Sequence, residues 1–223
     1  MRTLGVLMLE TRFPRLRGDI GCAATFDFPV RHRVVAGASP RRVVLEQDPA
    51  LLAPFVGAAQ DLEREGVAAI TTSCGFLALF QRPLQAAVGV PLWSSSLLAV
   101  GALDAALPEG KRAGVVTVDA VSLSPAMLAA AGAPEDTPVE GLATDSAFRR
   151  TLLENRADLD AAEAELATVA AALRLVARHP EVAAIVLECT NMPPYADAVR
   201  AATKLPVHDI TTLIRARFAA LPG

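Results

Sequence analysis

Cysteine, aromatic residues and excess positive charge are all scarce in this sequence, and each shortage removes a class of protein. Three cysteines, Cys22, Cys74 and Cys189, are spread over 223 residues. An odd and widely spaced set forms no disulfide framework and fits a reducing compartment, so a cytoplasmic protein is expected. Aromatic residues make up 4% of the chain, which disfavours an aromatic-rich β-sandwich, while abundant alanine favours close helix–sheet packing. A net charge of −3 offers no basic face for a nucleic-acid backbone. No apolar run approaches the ~20 residues that span a bilayer, so no membrane partner is expected. The opening MRTLGVLMLE ends in Glu without a small-residue cleavage site and reads as a buried strand, not a signal peptide. CxxC and HExxH spacings are missing, as are GxGxxG and Walker loops, so neither a metal nor a cofactor is expected.

What is present is an alternation of short apolar runs with helical patterns, the signature of an α/β fold. Strands are expected at about 3–9, 32–36, 67–72, 90–93, 113–118 and 182–187. These runs lack polar/apolar alternation, as strands buried on both faces do. Asp48-Pro49 caps a helix that runs to Gly66, with Pro54 a defect in its first turns. Ser124-Pro125 opens another helix, ended by Gly132. A third, from about Asp158 to Arg178, is expected to turn Leu159, Leu166, Val169, Leu173 and Val176 to the core. Segment 10–30 has no clear period, and a loop that long in a compact domain is often functional.

An internal repeat organises the chain. Laying VAAITTSC (67–74) over VAAIVLEC (182–189) superposes Cys74 on Cys189, and at the same offset Pro91 falls on Pro206. Nine of the 32 positions from 67 to 98 match their partners at 182–213. Upstream, LGVLMLE (4–10) resembles AGVVTVD (113–119), pairing Glu10 with Asp119. The chain is therefore expected to form two related βα lobes. Each cysteine would stand just past the carboxyl end of a buried strand, where open α/β sheets bind ligands.

Two matched thiols across one cleft suit the inversion of a carbon acid beside a carboxylate. One thiolate acts as base and its partner thiol as acid, with roles exchanged by reaction direction. Helix starts beside them would favour the thiolate and bind a substrate carboxylate through free N–H groups. Ser73, Gly75, Thr190 and Asn191 offer hydroxyl, amide and backbone groups next to the sulfurs. The competing reading makes both cysteines small buried hydrophobes.

At TTSCGF (71–76), VLECTNMPP (186–194), the opening LGVLMLE and the duplicated lobes, the chain resembles the aspartate/glutamate racemase superfamily. The resemblance implies two pseudo-symmetric flavodoxin-like lobes, each a mainly parallel sheet flanked by helices, with the active site in the cleft between them. It implies Cys74 and Cys189 as the catalytic pair, one per lobe, without pyridoxal phosphate or metal. It also implies Ser73, Thr117, Ser96 and Thr190 as substrate-binding groups, and a last helix that packs back on the first lobe. The first lobe would then be 1–98 with 209–223, and the second 99–208. A homodimer and a small carboxylate substrate are further implications. The function implied is a cofactor-independent racemase or epimerase acting on an amino acid, a related small carboxylate or a hydantoin. A maleate-type cis–trans isomerase and a non-catalytic carboxylate-binding protein are the alternatives on the same fold. A single-cysteine arylmalonate decarboxylase is disfavoured by the retained pair.

The chain departs from the amino-acid racemases of that family at two places. Gly75-Phe76 replace the usual Asn-Thr, and Asn191 stands where His or Glu is usual; an amide relays no proton. Phe76 and Met192 suit either a less polar pocket or ordinary core. Cys22 is expected to be a bystander. Glu10 and Asp119 are candidates for the cleft or for helix caps. Arg12, Arg15 and Arg17 either steer an anion or form a solvated face. His208-Asp209 is expected to be a structural turn.

Overall fold

The computed structural model describes residues 2–221. Among them the strands form two four-stranded sheets, parallel throughout. In the first, β1 (Leu4–Met8) lies between β2 (Val30–Val34) and β3 (Ala69–Thr72), with β4 (Leu92–Trp93) beyond β3. The second repeats this arrangement. There β5 (Arg112–Thr117) lies between β6 (Val139–Gly141) and β7 (Val182–Leu187), and β8 (Val207–His208) follows β7. Adding four to each strand number of one sheet generates the other, which is the repeat made solid. The central strands β1, β3 and β7 are buried on both faces, and their sequences are apolar apart from the two threonines of β3, whose hydroxyls bond to backbone carbonyls.

The helices are α1 (Leu52–Arg64), α2 (Gln81–Ala86), α3 (Val100–Ala106), α4 (Pro125–Ala130), α5 (Ala147–Leu153), α6 (Ala161–Arg178), α7 (Ala196–Thr203) and α8 (Ile210–Ala219). None among the described residues is long and apolar enough to cross a membrane. The last helix turns Ile210, Ile214 and Phe218 into one apolar cluster with Leu4, Val6, Met8, Ala69 and Trp93 of the first sheet.

Local differences from the sequence expectations have physical causes. Strand β2 ends at Val34, two residues before the end expected at 36, and Val35 leaves it into a turn that Gly37 completes at φ +75°. Asp48 opens a 3₁₀ turn at Pro49–Leu51 through a bond from the Ala50 N–H (2.9 Å), and α1 proper begins at Leu52. Pro54 is then the third residue of α1, where no intrahelical N–H bond is made, so it introduces no defect. Only part of the face expected of α6 packs inward: Leu159, Val169 and Val176 lie half-buried against the core. The helix buries Ala164, Thr168, Ala171, Ala172 and Leu175, while Leu166 is 70% and Leu173 46% exposed. Small side chains let α6 approach the sheet closely: a Cβ on Gly114 of β5 would stand 2.9 Å from the Leu175 side chain. Strands β6 and β8 are absent from the expected set; three and two residues respectively are too short to show a pattern.

Candidate active site

Each sheet presents its cysteine at the same place. Strand β3 ends at Thr72 and β7 at Leu187, and Cys74 and Cys189 each follow two residues later. The chain runs to opposite sides of the central strand pair at this point, so a crevice opens at the carboxyl ends of both sheets. The two crevices merge into one narrow cavity of ≈ 30 Å³, room for about one water molecule, so a small ligand needs its walls to part. Ser73, Cys74, Gly75, Phe76, Cys189, Thr190 and Asn191 all line it. The irregular segment 10–30 adds Thr11, Phe13 and Arg15. Gly18 seats that segment on the second lobe: its φ is +104°, and a Cβ there would meet the Pro194 backbone at 3.0 Å.

The sulfurs are buried, Cys74 at 9% exposure and Cys189 at 8%. Burial pushes both thiols up, and the neighbouring Glu188 carboxyl adds to the effect. The repeat also supplies matched relief, since the N–H two residues on bonds each sulfur: Phe76 for Cys74 and Asn191 for Cys189. Other partners differ. The Arg15 guanidinium favours a thiolate on Cys74. The Cys189 thiol instead donates to Asn191 Oδ1 at 3.7 Å. The Asn191 amide donates in turn to Asp19, which pairs with Arg15 at 3.0 Å. Arg15 is held further by Thr11 Oγ1 (2.8 Å) and lies 4.7 Å over the Phe13 ring.

Glu188 is the residue that sequence reasoning passes over. It is fully buried and lines the cavity. Its Oε2 accepts from Thr117 Oγ1 at 2.7 Å, while Oε1 has no partner. Burial raises this carboxyl to about 7 against the bond from Thr117. Gly75 makes room for it: a Cβ at 75 would stand 2.2 Å from Oε1 and 2.6 Å from the Glu188 carbonyl oxygen. The signal lies in the repeat, which sets Glu188 against Ser73 and so puts a charge at the end of a buried strand.

Other candidates hold the scaffold. Ser73 Oγ accepts the Leu9 N–H at 2.8 Å. Thr190 Oγ1 donates to the Ser73 carbonyl at 2.7 Å, and Ser96 Oγ donates to the Leu187 carbonyl at 2.8 Å. These two bonds tie one lobe to the other, and Ser96 lies outside the cavity lining. Thr117 reaches the site only through Glu188. Glu10 is exposed and binds the Gly37 N–H at 3.0 Å, away from the lining. Asp119 pairs with Arg149 at 2.9 Å, and Asp209 caps α8. Cys22 is half-buried beside its short 3₁₀ turn and outside the lining. Arg12 bonds Asn155, and Arg17 is exposed.

Comparison with known proteins adds to this geometry. A family model described as Asp/Glu/Hydantoin racemase matches residues 46–216. A dimethylsulfoniopropionate lyase of Durusdinium sp. clade D is 31% identical over 221 residues, covering 93% of this chain and 71% of that protein. Dimethylsulfoniopropionate lyase 3 of Emiliania huxleyi (strain CCMP1516) is 32% identical over 230 residues, covering 98% of this chain but 60% of the relative. The chain thus spans well under the full length of these curated relatives. A Gly→Cys mutant of arylmalonate decarboxylase superposes with a TM-score of 0.64 at 18% identity, over 99% of this chain and 94% of that one. Glutamate racemase from Aquifex pyrophilus gives 0.59 at 13% identity, over 99% and 84%. At these identities the two structures share the fold, two parallel-sheet lobes flanked by helices.

Proposed function

Because the chain belongs to the Asp/Glu/hydantoin racemase family, we propose that its thiols remove a proton from the carbon next to a small carboxylate, and that the outcome is β-elimination from a sulfoniopropionate. The observation that carries the first half is the convergence of Cys74 and Cys189 on one small cavity at matched strand ends. The second half is supported by relatives named for dimethylsulfoniopropionate cleavage at 31% and 32% identity over nearly the whole chain.

Elimination needs one base, and the unlike settings of the thiols supply it. Cys74, raised by burial and by Glu188 but with the Arg15 cation opposing them, takes the α-proton once a bound cationic substrate offsets Glu188. The C–H electron pair becomes the new carbon–carbon double bond, and the β carbon–sulfur bond breaks with its electrons going to sulfur. Neutral dimethyl sulfide and acrylate leave, and the proton on Cys74 returns to water. Cys189 keeps its proton, held by Asn191 Oδ1, and turns it from that oxygen toward the substrate carboxylate as negative charge builds there.

The racemase reading rests on the matched N–H bonds at Phe76 and Asn191, since inversion needs an acid and a base on opposite faces. Incubation in deuterated water, followed by NMR, separates the two. Acrylate and dimethyl sulfide formed in equal amounts from dimethylsulfoniopropionate support elimination. Deuterium entering the α-carbon of an amino acid or hydantoin, with no cleavage of the sulfonio compound, replaces it by racemisation.

A further inference from the structure

We propose that Glu188 is the specificity-determining residue of this site, its unpartnered Oε1 recognising a permanent cation, a sulfonium or quaternary ammonium, carried by the substrate. The inference rests on the reading of the cavity as the reaction site and names what that site selects.

The charge inventory of the cavity carries the argument. Its ionisable lining groups are Cys74, Cys189, Glu188 and Arg15. Arg15 is already paired with Asp19 at 3.0 Å and bonded to Thr11 at 2.8 Å. What remains is a carboxyl and two thiols, with no uncompensated cation among the described lining residues. Such a pocket repels a plain anion and gains from a ligand bearing positive charge. Glu188 Oε1 is the buried side-chain oxygen without a hydrogen-bond partner among the described residues, a costly state unless a ligand answers it.

The walls around it decide which cation. Phe13, Val44, Phe76 and Leu152 line the same cavity. A primary ammonium needs several acceptors to replace its water, and Glu188 Oε1 is a single one. A methylated onium has no N–H to satisfy, presents apolar methyl groups to apolar walls, and sits well against aromatic faces. The selection is therefore for an onium group over the ammonium of an amino acid.

Recognition and reaction then reinforce each other. Burial raises the Glu188 carboxyl to about 7, and a bound cation draws it into the ionised form. The same positive charge eases formation of the Cys74 thiolate nearby, since like charges on Glu188 and the thiols otherwise oppose one another. When elimination converts the sulfonium to a neutral sulfide, the attraction ends and the sulfide is released.

Titration calorimetry with a matched pair of ligands tests this. One is 3-(trimethylammonio)propionate and the other 4,4-dimethylpentanoate, its carbon isostere with an uncharged head group. The wild-type protein is expected to bind the onium about tenfold more tightly or better, a difference of about 1.4 kcal/mol. Glu188→Gln, which preserves shape, should reduce the preference to less than about twofold. Equal or tighter binding of the carbon isostere by wild type overturns the proposal, as does a preference that survives in the Gln variant. Should that variant fail to fold, the wild-type preference measured from pH 6 to 8 serves instead. It should grow as the carboxyl ionises, and a flat ratio overturns the proposal. Facing Glu188 are Thr117, Gly75 and the two thiols, which burial pushes above their ordinary range. Acrylate release is assayed separately. Onium preference without cleavage overturns the elimination and keeps the role of Glu188; cleavage without the preference does the reverse.

Discussion

Cys74 and Cys189 occupy one position in two copies of a fold, yet their surroundings have diverged. Each follows a buried parallel strand by two residues, and each sulfur accepts the N–H two residues further on. Past that shared frame the first lobe contributes a glycine at 75 and the second a threonine at 190. The residue before the cysteine differs too, Ser73 against Glu188. Ser73 bonds locally to Leu9, whereas Glu188 reaches over Gly75 and intrudes on its counterpart's side of the cleft. Duplication thus provides two thiols in register, and substitutions around them make the site directional. A two-fold symmetric site would serve inversion in either sense equally. A directional one has a preferred base, a fixed acid and one wall that differs in charge.

The strongest way to break this comparison is to exchange the thiols one at a time. Cys74→Ala should lower kcat for acrylate release about 10³-fold, the scale of a lost general base. Cys189→Ser, which keeps an O–H donor, should lower it only about tenfold. Steady-state assays of both variants suffice, and equal losses would point back to a symmetric acid–base pair. Next in size is the glycine. Gly75→Ala puts a Cβ against both Oε1 and the backbone of Glu188, and should cost about 3 kcal/mol in chemical denaturation. Thr190, its counterpart, already carries a side chain, so Thr190→Ala should leave that contact unstrained.

Glu188 sharpens the contrast through pH. Its folded carboxyl titrates at about 7 against an ordinary value of 4.5, so the folded state binds the extra proton between these limits. Stability from this group is fully present below pH 4.5, declines as pH rises, and is gone above about 7. The difference should be on the order of 3 kcal/mol. Denaturation curves of wild type and Glu188→Gln should therefore converge at low pH and part as pH rises. Parallel curves would show that the carboxyl does not titrate in this window. The smallest effect expected is at the seam between lobes. Ser96→Ala removes the bond to the Leu187 carbonyl and leaves it unanswered in the core, at about 1 kcal/mol. An unchanged denaturation midpoint would show that water takes the place of the hydroxyl.

Much of this organisation is legible in the chain alone, for a physical reason. Strands buried on both faces must be apolar throughout, so β1, β3, β5 and β7 stand out, and β7 matches the expected 182–187 to the residue. A duplicated lobe leaves duplicated text, so the repeat alone aligns Cys74 with Cys189. A short strand that carries a charged residue leaves no such trace: β6 is a three-residue strand with Glu140 at its centre. On α6, bulk is a misleading sign of the core. Close packing on a sheet instead favours Ala164, Ala171 and Ala172 and leaves Leu166 outside.

The local code, periodicity and repeat, determined the fold class, the two-lobed plan and the position of both thiols at strand ends. Which groups surround those thiols was decided by contacts between residues far apart in sequence. Arg15 and Asp19 come from the irregular segment after β1, Asn191 from the far lobe, and Thr117 approaches from β5 to hold Glu188. Burial, charge pairing and the room left at Gly75 exist only once the lobes have closed on each other. For that reason the sequence supplied the thiols, while the tertiary structure supplied the carboxyl between them.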